Sequence, residues 1–244
     1  MSNIDSKIAL VITDQETNAQ IKSLGVGLLE KGPIALTSVG LLELRADLFK
    51  QLDPAYIVNQ IKKRKALKIP LLLTVRNQKN EGAVKEFSDE KKWEIITAAL
   101  PLVDFIDIEL SSPLLKKVLN VCHSRKLLSG IHKPVKVIVS SHHLQDTPRN
   151  LESIFKKSQS IRADIVKIAA KANSFDDVMT MLAFTHRHHK HPLITMSLGP
   201  IGAISRLLFP AAGSQYTYTF LHKPTASGQV DVKTLKSHLK IYYQ

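Results

Sequence analysis

The stretch Leu41-Leu42-Glu43-Leu44-Arg45-Ala46-Asp47-Leu48 decides the fold. Strict alternation places Glu43, Arg45 and Asp47 on one side of a strand and Leu42, Leu44, Ala46 and Leu48 on the other. The same patterning recurs along the chain. Pro70 to Arg76 puts Thr74 and Arg76 together, Phe105 to Leu110 pairs Asp107 with Glu109, and Ala163 to Ala170 carries Lys167 inside an otherwise buried run. A half-exposed antiparallel sheet accounts for polar-out, apolar-in strands, but not for the helical segments between them.

Strand patterns fall at residues 8–12, 41–47, 70–76, 105–110, 136–142, 164–169, 192–198 and 216–221. Helical stretches between them include Ala55 to Lys65, Asp89 to Ala99, Ser112 to Lys126, Pro148 to Ser160 and Ser174 to His189. Several open on residues that satisfy free helix-terminal N–H groups: Asp53 before Pro54, Ser88 before Asp89 and Glu90, and Ser174 before Asp176 and Asp177. Strands alternating with helices call for a parallel sheet. Eight such repeats in 244 residues match a closed α/β architecture, the (β/α)8 TIM barrel, as a single domain over residues 1–244. In a barrel the face turned away from the helices points inward, so Glu43, Arg45, Arg76, Asp107 and Glu109 line the interior near the catalytic end.

Composition sets limits. A hydrophobic content of 44% supports one sizeable core, and no Pro/Gly/Ser-rich linker marks a second domain. The single Cys122 excludes an intramolecular disulfide; with no signal-peptide pattern and no apolar run of membrane-spanning length, a cytoplasmic setting without membrane contact is expected. The formal charge of +13 is spread along the chain, with no aromatic-rich motif for single strands and no DNA-binding module. A small anionic substrate, rather than nucleic acid, is the expected partner. The run His186-Arg187-His188-His189-Lys190-His191 has a metal-site composition but falls at a helix end, where cations suit the helix dipole, and no metal is assigned to it.

Lys167 carries the chemistry in this reading. Desolvation lowers the pKa of a buried lysine, and a neutral amine attacks carbonyls to form a Schiff base. Edge and snorkelling lysines are the plain alternative. Lys171, just beyond, reads as a loop charge. Met196 shares a face with Ile194 and Leu198 and reads as a hydrophobic wall or a core side chain.

Six motifs in order carry a family resemblance. They are Glu43-Leu44-Arg45-Ala46-Asp47-Leu48, Thr74-Val75-Arg76 with Glu81-Gly82, Ser140 to Pro148, Asp164 to Ala169, Ser205-Arg206 with Gly213-Ser214, and Thr225-Ala226-Ser227-Gly228-Gln229. The chain resembles the type I 3-dehydroquinate dehydratases, the Schiff-base-forming class of the shikimate pathway. The resemblance implies a (β/α)8 barrel that dehydrates 3-dehydroquinate through a Lys167 imine, without metal or organic cofactor, in a homodimer. It implies that His142 moves the proton, since it lies five positions before Thr147; strand alternation also puts His142, with Ile138 and Ser140, on the face opposite His143. Glu81 then orients the histidine, Arg206 takes the substrate carboxylate with Gln229 and Thr225, and Glu43, Arg45 and Arg76 hold the ring hydroxyls. An aldolase-type Schiff-base barrel and a catalytically dead binding barrel are the competing readings.

Overall fold

The computed structural model describes residues 6–24, 37–124 and 134–243. Eight parallel strands form one sheet: β1 (Lys7–Ile12), β2 (Val39–Arg45), β3 (Leu71–Thr74), β4 (Phe105–Glu109), β5 (Lys136–His143), β6 (Ile165–Lys171), β7 (Leu193–Leu198) and β8 (Tyr216–Phe220). Sequential neighbours pair throughout from β1 to β7, and β8 returns to pair with β1. At the remaining seam the Gln215 N–H donates to Leu193 O at 2.8 Å and the Thr195 N–H to Ser214 Oγ at 3.0 Å. The result is the (β/α)8 barrel expected from the strand and helix alternation.

The helices are α1 (Asn18–Lys22), α2 (Pro54–Lys65), α3 (Asp89–Ala99), α4 (Leu115–His123), α5 (Leu151–Ser160), α6 (Phe175–Arg187), α7 (Gly199–Gly202), α8 (Ser205–Ala212) and α9 (Val232–Tyr242). The anticipated caps are in place: Asp53 accepts from the Tyr56 N–H, Ser88 from Lys91, and Ser174 forms a reciprocal capping box with Asp177. Boundaries shift where polar groups find local partners. The third strand ends at Thr74 rather than Arg76. The second ends at Arg45, because Ala46–Leu48 turns into a 3-10 helix that brings Asp47 back onto the Arg45 guanidinium. The helix expected over 112–126 is observed as Leu115–His123, and its residues 125–126 lie outside the described part.

Alternation sorts the side chains as expected. Outward residues such as Ile8, Leu10, Leu42, Leu44, Ile106 and Val139 pack under the helices, while Ala9, Leu41, Leu72, Ile138, Ile165 and Ile194 fill the barrel floor. Above that apolar floor, towards the carboxyl ends of the strands, the inward positions become charged.

Candidate active site

Alternate strands of a barrel contribute to one layer, and the even strands here set Glu43, Asp107, Lys167 and Tyr218 together. Lys167 Nζ donates to Asp107 Oδ2 at 3.0 Å and Glu43 Oε1 at 3.3 Å, and lies 4.3 Å from the Tyr218 ring centroid. Thr74 Oγ1 donates to Glu43 at 2.8 Å and Ser140 Oγ to Asp107 at 2.6 Å, so both carboxylates are held from the side. Arg76 bridges Asp107 at 2.7 Å and Glu109 at 2.8 Å, and Glu109 also meets the buried ammonium of Lys92 at 2.5 Å. Three cations (Lys92, Arg76, Lys167) thus face three carboxylates (Glu109, Asp107, Glu43) in a network shielded from solvent.

That balance corrects the expectation for Lys167. Burial does push its pKa down, but the adjacent Asp107 and Glu43 carboxylates outweigh burial and hold the ammonium above the ordinary lysine range. Asp107 moves oppositely: burial raises it, and Arg76 and Lys167 more than reverse this, keeping it well below the usual carboxylate range. The resting site therefore holds a cation at the nitrogen. An iminium at the same atom keeps the same charge.

His142 stands beside this layer at the end of β5. Its Nδ1 lies 2.8 Å from Glu81 Oε2, which also accepts the His142 backbone N–H at 3.0 Å, while Ser111 Oγ donates to Glu81 Oε1 at 3.0 Å. Glu81 reaches this position from a 3-10 turn, Lys79–Glu81, closed by Gly82 at φ 87°, where a residue without a Cβ is favoured. Burial lifts the Glu81 carboxyl to about 6, with Arg76 opposing. Burial, then Arg76 and Lys167, hold the His142 imidazole well below its ordinary value, so Nε2 is available as a base when Nδ1 carries the proton to Glu81. His143 turns away and meets Ser141 Oγ at 2.9 Å, in line with the choice of His142 by alternation.

A cavity of about 380 Å³ opens above these groups. Glu43, Arg45, Arg76, Glu81, His142, Lys167, Thr225 and Gln229 all line it. Met196 and Leu198 give it an apolar wall on β7, as the shared face suggested, and Lys171 lies at its rim rather than in a loop outside. Its roof is the segment after β8. The Gly199 N–H donates to Ser227 O at 3.2 Å, and Gln229 Oε1 accepts the Thr225 N–H at 2.7 Å. A Cβ on Gly228 would sit 2.2 Å from Gly199 O, so this close approach needs glycine. Arg206 is not among the lining residues. It is 2% exposed, with Nη1 donating to Ser197 O and Ser205 Oγ at 3.1 and 2.9 Å, while Nε and Nη2 have no hydrogen-bond partner among the described residues. Burial without a carboxylate lowers the Arg206 guanidinium to about 10.

The sequence-derived set thus comes together around one cavity except for Arg206, which is buried against Ser197 and Ser205. Arg45 meets Asp47 in a two-point pair at 3.0 and 2.7 Å rather than pairing with Glu43. Asp107 was placed on the inward face from the sequence but given no role, and Tyr218, Ser111 and Lys92 were not named. The signal for the first two was present: inward positions on even strands at matching height form a layer.

A family profile described as Type I 3-dehydroquinase matches residues 28–244. Curated relatives include the 3-dehydroquinate dehydratase of Hydrogenobaculum sp., 31% identical over 238 residues (97% of this chain, 99% of the relative). That of Thermodesulfovibrio yellowstonii is 32% identical over 211 residues, covering 84% and 87%. Among solved structures, the 3-dehydroquinate dehydratase of Aquifex aeolicus superposes with a TM-score of 0.77 at 27% identity, covering 98% of this chain and 99% of that one. The type I enzyme of Clostridium difficile, solved with covalently modified comenic acid, gives 0.76 at 28% identity, covering 97% and 91%. With its barrel, its buried lysine and these matches over nearly its whole length, the chain belongs to the type I 3-dehydroquinase family.

Proposed function

We propose that this chain dehydrates 3-dehydroquinate to 3-dehydroshikimate through an imine on Lys167, with His142 moving the proton. The observation that carries the reading is the balanced layer around Lys167 Nζ, with Asp107 at 3.0 Å and Glu43 at 3.3 Å. Condensing an ammonium with a ketone gives an iminium and water, so the nitrogen's single positive charge is conserved. The carboxylates that hold the ammonium serve the iminium equally, an electrostatic arrangement that needs no rebuilding during reaction. Attack itself needs a transient neutral amine, and the adjacent carboxylates are the nearest acceptors for that proton.

The iminium withdraws electrons from the neighbouring carbon. His142 Nε2 takes a proton there, leaving an enamine and an imidazolium. The C–O bond of the hydroxyl then breaks, and the imidazolium returns its proton so that water leaves and the iminium is regenerated. Hydrolysis releases product and restores the ammonium. Positioned proton transfer of this kind contributes about 10²- to 10⁴-fold. Glu81 fixes the imidazole tautomer, Arg45 and Arg76 face the ring hydroxyls with Glu43, and the unpaired Nε and Nη2 of Arg206 match a carboxylate's two oxygens, with Gln229 and Thr225 on the roof.

Family membership supports the hydro-lyase chemistry and a place in aromatic amino acid biosynthesis by the shikimate pathway. No described helix is long and apolar enough to cross a membrane; the cytoplasmic setting is supported by the lone Cys122, which suits a reducing compartment, and the homodimer by the family resemblance. The test is enone ultraviolet absorbance when 3-dehydroquinate meets the native protein and Lys167→Ala. Absorbance should rise with the native protein and stay flat with the variant; no rise with the native protein overturns the reading.

A further inference from the structure

We infer that Lys171 is a rim cation that captures the substrate's carboxylate on entry, ahead of the chemistry at Lys167. This rests on the proposed dehydratase reading and adds a residue to it. Lys167, Ala169 and Lys171 alternate along β6, so all three face inward, and all three line the cavity. Four residues of strand separate the two lysines by roughly 13 Å along the strand. Ala169 between them leaves the intervening space to a ligand.

Charge accounting singles out Lys171. Around the cavity Lys167 is matched by Asp107 and Glu43, Arg76 by Asp107 and Glu109, and Arg45 by Asp47, while Glu81 is hydrogen-bonded to the neutral imidazole of His142 rather than to a cation. The Lys171 ammonium has no hydrogen bond or ion pair among the described residues; only its backbone carbonyl is engaged, by Thr147 Oγ1 at 2.9 Å. Gly199, Pro200, Thr225, Ala226 and Ser227, which line the same cavity, are neutral. An incoming anion therefore meets one uncompensated charge at the mouth, half-buried and next to apolar Leu198. Arg206 is buried and does not line the cavity, so it is not the group an incoming anion meets first. Such a charge raises the rate of productive association and weakens with salt.

The experiment is steady-state turnover of 3-dehydroquinate by native protein, Lys171→Met and Lys171→Arg across ionic strength from about 10 to 300 mM, a range in which the Debye length falls from roughly 30 Å to below 8 Å. Methionine keeps the unbranched stem and removes the charge. Lys171→Met should lower kcat/KM about tenfold at low salt, the loss appearing in KM rather than kcat, and should flatten the salt dependence. Lys171→Arg should recover most of it. Equal KM and equal salt slopes in native and Lys171→Met protein overturn the inference while leaving the dehydratase reading standing; native protein without turnover removes the reading and the inference with it.

Discussion

Replacing Asp107 by asparagine tests what holds the Lys167 charge. Asp107 Oδ2 is 3.0 Å from Lys167 Nζ, and its other oxygen is 2.7 Å from Arg76. At an effective dielectric near 20, a unit-charge pair at that separation is worth about 5.5 kcal/mol, or roughly four on the pKa scale. The asparagine oxygen keeps part of this as a dipole and Glu43 remains at 3.3 Å, so Lys167 should titrate about two lower in Asp107→Asn. The variant also leaves Arg76 and Lys167 sharing fewer carboxylates, which costs about 3 kcal/mol of stability. The assay is pulsed acetylation over pH 7 to 11 with peptide-level mass spectrometry, read at the Lys167 peptide and normalised to exposed lysines. Within that window the Lys167 peptide should label more in the variant than in the native protein, whose ammonium is held above the ordinary lysine range, with circular dichroism confirming the fold. Equal Lys167 labelling in native protein and a folded variant would refute the claim that Asp107 outweighs burial at this lysine.

Other outcomes follow from the same geometry. Glu81 titrates at about 6 against an ordinary 4.5, and its protonation removes the charge behind His142 Nδ1. The native kcat/KM should therefore fall below about pH 6 with an apparent pKa belonging to the Glu81–His142 pair; Glu81→Gln should lower kcat and abolish that limb. The sign for stability is the reverse: a raised carboxyl favours folding below its unfolded pKa and loses that contribution as pH rises through about 6, so Glu81→Gln should gain relative stability above that pH in urea titrations. Lys92→Met strands the Glu109 carboxylate from one of its two cations and should cost about 3 kcal/mol, read as a Tm lower by roughly 6–12 °C; an unchanged Tm contradicts the buried network. Gly228→Ala drives a Cβ onto Gly199 O at a φ of 78°, so the roof should open and KM rise several-fold with little change in Tm. Hydrogen exchange at Gly199 should increase with it.

Much of the fold was legible because polar residues could not hide in the strands. Glu43 and Arg45 alternate with leucines, and that alternation allows only one inward face. Asp47 was misplaced on the same face of a longer strand, since alternation carries no signal for a side chain that folds back onto its own neighbour two residues earlier. Lys167 was visible as a charge in an apolar run, but the direction of its pKa was not. Sequence showed that the lysine is buried but not the carboxylate of β4 that stands 3.0 Å from it, 60 residues away. Glu81 illustrates the converse: its partnership with His142 was implied by the family resemblance alone, and the turn closed by Gly82 is what carries its carboxylate to His142 Nδ1. Lys171 read as a loop charge because its strand extends further than the apolar run does.

The most direct test of the central claim is borohydride reduction during turnover of 3-dehydroquinate, followed by peptide mapping. A reduced adduct on the Lys167 peptide, absent from Lys167→Ala, is the predicted result. No adduct with native protein, or an adduct on Lys171 instead, would contradict the assignment of Lys167 as the imine-forming residue.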